Sequence, residues 1–533
     1  MPRLATKEAI IITPYDTTLR DGNQTPGVNL SVGTKLRIAE RLDREGFPYI
    51  EGGWPGANPT DTDFFRQLRG HKFQHAQLVV FGMTGRVGVK PENDPSLQTL
   101  LEAETGVVEI FGKSWLLHVE KVLRTTPEAN LQSIHDSVAY LSQQGRRVFY
   151  AAEHFFDGYR NNSKYALSTL EAAQSAGAET IILCDTNGGA TPEFVSRATR
   201  AVRKRLGQEY SLGIHVHNDR GLAVASTIAA VRAGATQVQG TINGAGERTG
   251  NVDLCVFIPT AKLGYGIETM GVDLARIPEL ANFIETENGL RVPANHPWTG
   301  LNAFTHKGGV HVDAVRKEPD AYQHVQPELV GRQTSFESSD QGGGANIMEI
   351  ASKYGYQLEK TDPRVREMVD KMKELGVLGD AQEYLLLYRG LSMGPEPFET
   401  EDQTYTSFSW ESSYASSDVS ISIRVGRSRF LLPARTGLAP SGFGAFEHSL
   451  KETLGYSYGV IRGVRIWDYR TRSTLGQEYG SEDTEVYLEL GFGDQRWSSK
   501  VRGNSTEIAS QKALVEGYKY AILKFDKNKA VPR

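Results

Sequence analysis

Short apolar runs alternate with helical patterns eight times between residue 8 and about residue 270. Each of these runs is followed by a helix-like segment; they are AIIITPYDTTL, YIEGGW, QLVVFGM, VVEIFG, RRVFYAAEHFF, TIILCD, LGIHVHND and TQVQGTI. Several helical segments close with Gly, where a helix stop is expected. Eight such units in roughly 250 residues fit a closed parallel barrel better than an open doubly wound sheet. We therefore predict an α/β fold that begins with a (β/α)8 TIM barrel.

The alternation stops beyond residue 270. The runs DLARIPELANFIETENG and DPRVREMVDKMKELGVL predict helices on either side of an irregular segment rich in Gly and His. From about residue 400, SFSWESSYASSDVSISIRVGRSRF predicts exposed antiparallel strands, and a polar run there predicts a flexible junction. We expect three parts: a barrel over 1–270, a helical linker region over 271–400, and a C-terminal α+β domain over 401–533.

Composition narrows the class of protein. The formal net charge is -5 and no basic run occurs, which argues against a nucleic-acid partner. The two cysteines, Cys184 and Cys255, lie in separate apolar runs, so a disulfide framework is excluded. The start of the chain has no signal-peptide core, and no stretch is apolar enough to span a membrane. We expect a cytoplasmic protein with no membrane partner.

Polar residues collect at the ends of the predicted strands, which is where such barrels carry their active sites. They are Arg20, Asp21, Glu51, Glu153, Asp185, Thr186, His215, His217, Asn243, Glu247 and Asn251. His215 and His217 alternate in one strand and therefore share a face. Taken alone, this pair is as well explained by a polar strand face as by half a metal site. Arg20–Asp21 alone is better explained as a surface ion pair at a turn.

Three separated motifs decide between these explanations. The first, seventh and eighth strands are neighbours in a closed barrel, so Asp21, His215, His217 and Asn251 should converge on one side of its mouth. Two nitrogens and two oxygens suit a divalent ion such as Mg, Mn or Zn, with positions left open for substrate. We predict a metal site formed by these four residues, with Arg20 beside it to hold a carboxylate or an oxyanion.

The motifs TTLRDGNQ, HVHND and NGAGERTGN together resemble the family of isopropylmalate, homocitrate and citramalate synthases. The resemblance covers nearly the whole chain, and residues 401–533 resemble the regulatory domain of leucine-pathway synthases. YIEGGWPGANPTD, with Trp54, resembles one branch of citramalate synthases. The resemblance implies a Claisen condensation of acetyl-CoA with pyruvate to give citramalate, the first step of a pyruvate route to isoleucine. It also implies a homodimer.

The family's roles fall on particular residues here. Arg20 would stabilise the developing alkoxide, and Thr186 would bind the carboxylate of the keto acid. Proton transfer from the acetyl methyl would involve Glu153 and His311, the latter from the partner subunit, with Tyr322 as a further candidate. His154, next to Glu153, is expected to be structural, since adjacent strand residues point to opposite faces.

Alternatives remain open within and beyond this class. Isopropylmalate or homocitrate synthesis is the nearest one, and bulky residues such as Phe81, Met83 and Phe111 would decide it by excluding larger keto acids. A retro-aldol acyl-CoA lyase would need a Cys in the Gly-rich loop after the eighth strand, and NGAGERTGN has none. A non-catalytic amino-acid sensor would not need the complete ligand set.

The chain also departs from the family pattern. Arg332 follows ELVG where Asn is usual, the next stretch reads SDQGGGAN, and LAPSGFGAF replaces the usual loop of the C-terminal domain. These changes fall in the linker and in the region where an effector would bind, and they leave the predicted metal ligands untouched. Inhibition by isoleucine is an expectation by analogy.

Overall fold

The structure is a computed structural model of the chain. It describes residues 10–306, 311, 314–315, 317–336, 344–359, 361–376, 378–411, 414–425, 428–436, 442–475, 482–493 and 495–526. The chain forms two compact units, of which the first contains residues 1–306 and 310–336 and the second contains 307–309 and 337–533. The predicted division at residues 270 and 400 stays a prediction.

Eight parallel strands form the barrel of the first unit and confirm the predicted fold. They are β1 (Ile11–Asp16), β2 (Tyr49–Gly53), β3 (Gln77–Met83), β4 (Val107–Lys113), β5 (Arg147–Glu153), β6 (Thr180–Asp185), β7 (Ser211–Val216) and β8 (Gln237–Gly240). Neighbours in space follow the order of the chain, and β1 pairs with both β8 and β2, which closes the sheet. The carboxyl ends of all eight strands therefore meet at one rim.

Helices separate the strands, as in the predicted repeat. They are α1 (Val32–Arg44), α2 (Pro59–Gln67), α3 (Pro95–Glu102), α4 (Pro127–Gln143), α5 (Phe155–Asn161), α6 (Ser163–Ser175), α7 (Pro192–Leu206), α8 (Ala223–Arg232) and α9 (Leu254–Pro259). Thr126 and Thr191 show why α4 and α7 begin where they do. Each hydroxyl accepts a hydrogen bond from a backbone N–H of the first turn, and proline occupies the first helical position.

Two apolar layers hold the barrel together. A large outer cluster fills the space between strands and helices, while Tyr15, Val79, Val107, Phe149 and Ile182 pack inside the cylinder. These apolar side chains fill the interior of the cylinder, and the rim at the carboxyl ends of the strands is left for polar side chains. A short strand β9 (Glu268–Thr269) and helix α10 (Ile277–Asn288) follow, and β10 (Thr305–His306) pairs with β11 (Ser335–Phe336).

The second unit combines helices with two antiparallel three-stranded sheets. Its helices are α11 (Gly344–Lys353), α12 (Pro363–Leu375), α13 (Asp380–Gly390), α14 (Gly442–Ser457), α15 (Gly459–Gly463) and α16 (Thr506–Phe525). Its strands are β12 (Glu399–Glu411), β13 (Tyr414–Val425), β14 (Ser428–Thr436), β15 (Arg465–Leu475), β16 (Glu482–Phe492) and β17 (Gln495–Gly503). The polar run predicted as a flexible junction forms β12, so that prediction was wrong. Of the atypical segments, residues 337–343 and 437–441 lie outside the described residues.

Among the described residues, we find no helix that is both long and apolar enough to cross a membrane.

Candidate functional site

Asp21, His215 and His217 meet at the rim, where β1 and β7 end. Their potential ligand atoms all lie within 4.8 Å of one another, and all three residues are buried. His215 Nε2 lies 3.3 Å from Asp21 Oδ2, and the two imidazole centroids are 5.2 Å apart. The alternation of β7 therefore puts both rings on the side that faces the loop after β1, as the sequence pattern predicts.

Asn251 is brought to the same place by the loop that follows β8. Its backbone forms an antiparallel bridge with His217, and its side-chain Nδ2 donates to the Ala245 carbonyl over 3.1 Å. Glycine is required at Gly246, where φ is 156° and a Cβ would lie 2.3 Å from Asn251 Nδ2. Gly250 has φ 85°, and a Cβ there would lie 1.9 Å from the Gly244 carbonyl oxygen. The glycines of NGAGERTGN thus allow the close backbone approach that holds the Asn251 amide in this position.

Three polar atoms of this group show that it fits a cation. Asp21 Oδ1, His217 Nδ1 and Asn251 Oδ1 are buried and have no hydrogen-bond partner among the described residues. Leaving such an atom unpaired costs about 1–3 kcal/mol, so buried polar atoms are normally satisfied. A divalent ion would satisfy all three, and oxygen and imidazole donors together suit Mg, Mn or Zn.

Arg20 links this cluster to a buried acid on β2. Its Nη1 donates to Asp21 Oδ2 over 3.0 Å, and its Nε donates to Glu51 Oε2 over 2.7 Å. Tyr15 and Thr17 also donate to the Glu51 carboxylate. The guanidinium is therefore held in place by two carboxylates, with its Cζ 4.0 Å from the centre of the Phe81 ring.

Gln239 and Glu109 support His215, and the sequence analysis missed both. Gln239 Nε2 donates to Glu109 Oε2 over 2.7 Å, which turns Gln239 Oε1 toward His215 Nδ1 at 3.1 Å. A carbonyl oxygen only accepts, so His215 Nδ1 carries a proton and donates to Gln239, while Nε2 is directed toward Asp21. The signal for Glu109 was available as a lone acid within the apolar strand VVEIFG.

The charges of the cluster follow from its burial and its partners. Burial works to raise the pKa of Asp21, but Arg20 and His215 outweigh it and lower that pKa below its usual range. Burial and the neighbouring His215 lower the pKa of His217 to about 3. At neutral pH the rim therefore carries an ionised carboxylate beside a neutral His217 imidazole, which are the protonation states that metal ligands require.

A cavity of about 200 Å³ opens beside the cluster. Its lining includes six of the predicted site residues, namely Arg20, Asp21, Glu153, Thr186, His215 and His217. Trp54, Phe81 and Phe111 form an aromatic wall, with ring centroids 5.5–6.0 Å apart. Phe81 and Phe111 thus lie where they were expected, whereas Met83 is not among the lining residues.

Glu153 ends β5 and belongs to a second group of potential ligands. It pairs with Lys113 of β4. His118, Glu153 and His154, which we call the His118 group, offer ligand atoms that lie within 4.8 Å of one another, as do Asp21, His215 and His217, which we call the Asp21 group. His154 was expected to point away from Glu153, but its backbone turns into the left-handed region, with φ 54°, and the strand alternation ends there.

His311 and Tyr322 stack on each other, with ring centroids 4.3 Å apart, and both are exposed. Neither belongs to the residues that line the cavity of the same chain. Their predicted part in proton transfer, with His311 supplied by a partner subunit, stays a prediction.

Comparison with known proteins agrees with this architecture. Residues 11–284 match the HMGL-like family, and residues 298–380 match the homocitrate synthase post-HMGL domain-like family. The chain is 38% identical over 518 residues to the (R)-citramalate synthase of Aquifex aeolicus, covering 96% of this chain and 97% of the relative. It is 41% identical over 527 residues to the (R)-citramalate synthase of Synechocystis sp., covering 95% of each.

A probable 2-isopropylmalate synthase of Methanopyrus kandleri is 34% identical over 365 residues, which cover 68% of this chain and 70% of the relative. The chain belongs to the HMGL-like family of barrel proteins. The two (R)-citramalate synthases named above match it over nearly its whole length, whereas this isopropylmalate synthase matches about two thirds of it.

Proposed function

We propose that this protein is an (R)-citramalate synthase, which condenses acetyl-CoA with pyruvate and water to give citramalate and CoA. One observation carries the proposal. The Asp21–His215–His217 cluster, with Arg20 beside it, lines a small cavity with aromatic walls, in a chain that resembles citramalate synthases from end to end.

The four predicted ligands, Asp21, His215, His217 and Asn251, would hold the divalent ion. When bound, the ion would supply Lewis-acid polarisation of the keto acid and fix its orientation. The Asp21 and Asn251 oxygens that have no hydrogen-bond partner in the described part of the chain favour this role, as does the Gln239 contact that orients His215. Mg, Mn and Zn all suit these donors.

The remaining residues would position the keto acid and stabilise charge. Arg20 is held by Asp21 and Glu51 and is already oriented toward the cavity, so it can stabilise an alkoxide without reorganising. The Thr186 hydroxyl lines the same cavity and would donate to the carboxylate of the keto acid. It also accepts from the His154 backbone N–H over 2.9 Å, which fixes its lone pair and leaves its proton for substrate.

Glu153 would take a proton from the acetyl methyl group, assisted by His311 of a partner subunit and by Tyr322. The resulting carbon nucleophile forms a C–C bond to the keto carbonyl, whose oxygen accepts a proton. Water then adds to the thioester, and the C–S bond breaks to release the CoA thiol. That hydrolysis drives the reaction forward. This arrangement requires a homodimer, because His311 does not line the cavity of its own chain.

Trp54, Phe81 and Phe111 favour a small keto acid. Pyruvate carries a methyl group where 2-oxoisovalerate carries a branched chain. Forcing extra methylene groups against a packed wall costs about 1–3 kcal/mol. This wall supports the choice of pyruvate over the substrates of isopropylmalate and homocitrate synthases.

The proposal extends to the setting of the enzyme. We expect the enzyme to act in the cytoplasm. The product would enter isoleucine synthesis, and the second unit would bind isoleucine as an allosteric effector. Isoleucine should then change either the rate or the melting temperature.

One assay tests the function. The purified chain is given acetyl-CoA with pyruvate, 2-oxobutanoate, 2-oxoisovalerate or 2-oxoglutarate, with and without a chelator, and free thiol is followed. We expect thiol release with pyruvate that the chelator abolishes. Release mainly with 2-oxoisovalerate would assign isopropylmalate synthesis instead, and the absence of release with all four keto acids would refute a synthase.

A further inference from the structure

An ion pair between Lys35 of α1 and Asp61 of α2 is enclosed inside the first unit. Lys35 is fully buried, Asp61 is 4% exposed, and neither residue lines the cavity. A buried ion pair is weak evidence for stability, because the cost of removing two charges from water can exceed what their attraction returns. The pair is therefore expected to serve something besides stability, and the other contacts of Asp61 identify that role.

The Asp61 carboxylate holds the loop between β2 and α2. Its Oδ1 accepts from the Lys35 ammonium. Its Oδ2 accepts from the Trp54 backbone N–H over 2.9 Å and from Asn58 Nδ2 over 3.0 Å. One side chain thus joins the first residue after β2 to the first turn of α2, and Lys35 fixes the orientation of its carboxylate.

Gly53, the last residue of β2, lets this carboxylate approach the backbone closely. Its φ is 143°, and a Cβ there would lie 2.5 Å from Asp61 Cγ. The pairing of β2 with β3 also shifts register between Glu51 and Gly53. Asp61 therefore occupies the space where any other residue at position 53 would place its side chain, and the chain leaves β2 in the direction that the carboxylate allows.

Trp54 depends on that direction for its place in the cavity wall. Its ring meets the Phe81 and Phe111 rings at 85° and 84°, with centroids 6.0 and 5.6 Å away. Edge-to-face contacts of this kind require a particular placement of each ring. Because a tryptophan side chain has only two torsions, a displaced backbone displaces the ring. A change at Asp61 should therefore reach the cavity through the Trp54 ring.

We propose that Asp61 is a positioning residue for Trp54, that Lys35 fixes Asp61 in this role, and that the pair thereby sets the largest keto acid that the cavity admits. The inference rests on the proposed function, since it requires that a keto acid binds against the aromatic wall. Asp61 does not line the cavity, so it acts only through Trp54.

The ratio of kcat/KM for 2-oxobutanoate to that for pyruvate measures this role. Asp61→Asn keeps the size of the side chain but cannot accept from both Lys35 and Trp54, so the loop is released and the ratio should rise by about 10-fold. Trp54→Ala removes the ring itself and should raise the ratio at least as much. The combined Trp54→Ala, Asp61→Asn chain should show no further rise, because Asp61 then has no ring to position. Lys35→Met leaves the Trp54 hydrogen bond in place and should raise the ratio by less than Asp61→Asn.

Asp43→Asn is the matched control. Asp43 is another buried acid, near the end of α1, and its carboxylate accepts from the backbone N–H groups of Gln74, His75 and Ala76. Removing its charge should lower the melting temperature and leave the ratio unchanged. The same pattern in Asp61→Asn, a lower melting temperature with an unchanged ratio, would mean that Asp61 is merely structural and would overturn the inference.

Hydrogen exchange at the Trp54 amide separates this inference from the proposed function. Asp61→Asn should remove the protection of that amide, since the N–H loses its acceptor, and Asp43→Asn should preserve it. If the wild-type chain releases no thiol with any keto acid, the proposed function and the substrate role of the pair both fail, while the exchange still decides whether Asp61 holds Trp54. An unchanged ratio in an active Asp61→Asn chain overturns only the present inference. If circular dichroism shows Asp61→Asn unfolded, Lys35→Met supplies the comparison.

Discussion

The Asp21 group and the His118 group lie on one rim of one barrel and have the same composition, two imidazoles and a carboxylate. They differ in what surrounds them. In the Asp21 group every ligand is buried, Arg20 and Glu51 hold the acid, and Gln239 orients one imidazole. In the His118 group two of the three residues are only half-buried, and neither imidazole Nδ1 has a hydrogen-bond partner among the described residues, whereas in the Asp21 group one of the two has. Supporting hydrogen bonds, more than ligand identity, distinguish a rigid site from an adaptable one.

An aromatic wall lies between the two groups. Arg20 of the first group packs on Phe81, and Lys113 of the second packs near Phe111. Trp54 contacts both rings. The Arg20 guanidinium and the Lys113 ammonium therefore pack against one continuous aromatic surface, which also limits the size of the cavity. The following experiments test whether the two groups differ as their surroundings imply.

The largest effect is expected from Asp21→Asn. The variant removes the ionised ligand and one of the two carboxylates that hold Arg20, so turnover with pyruvate should fall by at least roughly 10²–10³-fold. His118→Ala, the matched change in the other group, should lower turnover by less than about 10-fold. Steady-state thiol release measures both. Equal losses in the two variants would show that the groups do not have different roles.

Gln239→Leu should weaken metal binding at the Asp21 group by roughly 10–100-fold, the usual cost of losing a partner that orients a ligand. The leucine is similar in size but cannot accept the His215 Nδ1 proton, so the tautomer is no longer fixed. Isothermal titration of the stripped chain with Mn²⁺ measures the affinity. Gln239→Glu keeps the accepting oxygen and should retain more affinity than Gln239→Leu. The same affinity in both variants would contradict the orienting role.

Phe111→Ala should enlarge the cavity on the side of the His118 group. The ratio of kcat/KM for 2-oxobutanoate to that for pyruvate should rise by about 10-fold, since one methylene in a fitted pocket is worth roughly 1–3 kcal/mol. Phe194→Ala, which removes an aromatic ring outside the cavity lining, should lower the melting temperature without changing this ratio. An unchanged ratio in Phe111→Ala would exclude Phe111 from substrate selection.

The smallest effect is expected from Glu109, which belongs to the hydrogen-bond network that orients His215. Burial, with the charge of Glu51, raises the pKa of Glu109 to about 8. Between its unfolded pKa of about 4.3 and about 8, the folded chain keeps a proton that the unfolded chain has released, so the free energy of unfolding falls as pH rises.

Glu109→Gln removes this contribution. Across that window, the melting temperature of the wild-type chain should fall by roughly 2–4 °C more than that of the variant. Thermal melts at a series of pH values measure both slopes. Glu179→Gln, which alters an exposed acid paired with Arg147, should keep the wild-type slope. Parallel slopes for Glu109→Gln would mean that Glu109 is ionised in the folded chain.

Sequence periodicity predicted the barrel and most of the first group. The eight strands could be found because each repeats one apolar pattern, and His215 and His217 share a face because a strand has a period of two. Asp21 could be placed beside them because β1 must pair with β8 if the barrel closes. Glu109 and Gln239 could not be paired in advance, because their contact crosses the barrel interior and depends on how side chains pack there.

The second group was missed for a different physical reason. The prediction for His154 assumed that strand alternation continues past Glu153, but one left-handed residue ends the strand. The sequence does not identify that turn, because histidine is enriched in the left-handed conformation but still adopts it at only a small fraction of positions. In the second unit, the polar composition of β12 suggested a flexible junction, although the backbone pairs with β13 from Glu399 to Glu411. Polar strands at a sheet edge resemble loops in sequence.

The closure of the barrel has a consequence for how the protein assembles. Ligands of the Asp21 group come from the loop after β1 and from the segments that end β7 and follow β8, so the seam of the cylinder runs beneath them. The group cannot form until β8, the last strand of the barrel, has paired with β1. A cation bound there would link the two sides of the seam. The free energy of unfolding of the barrel would then depend on the metal concentration.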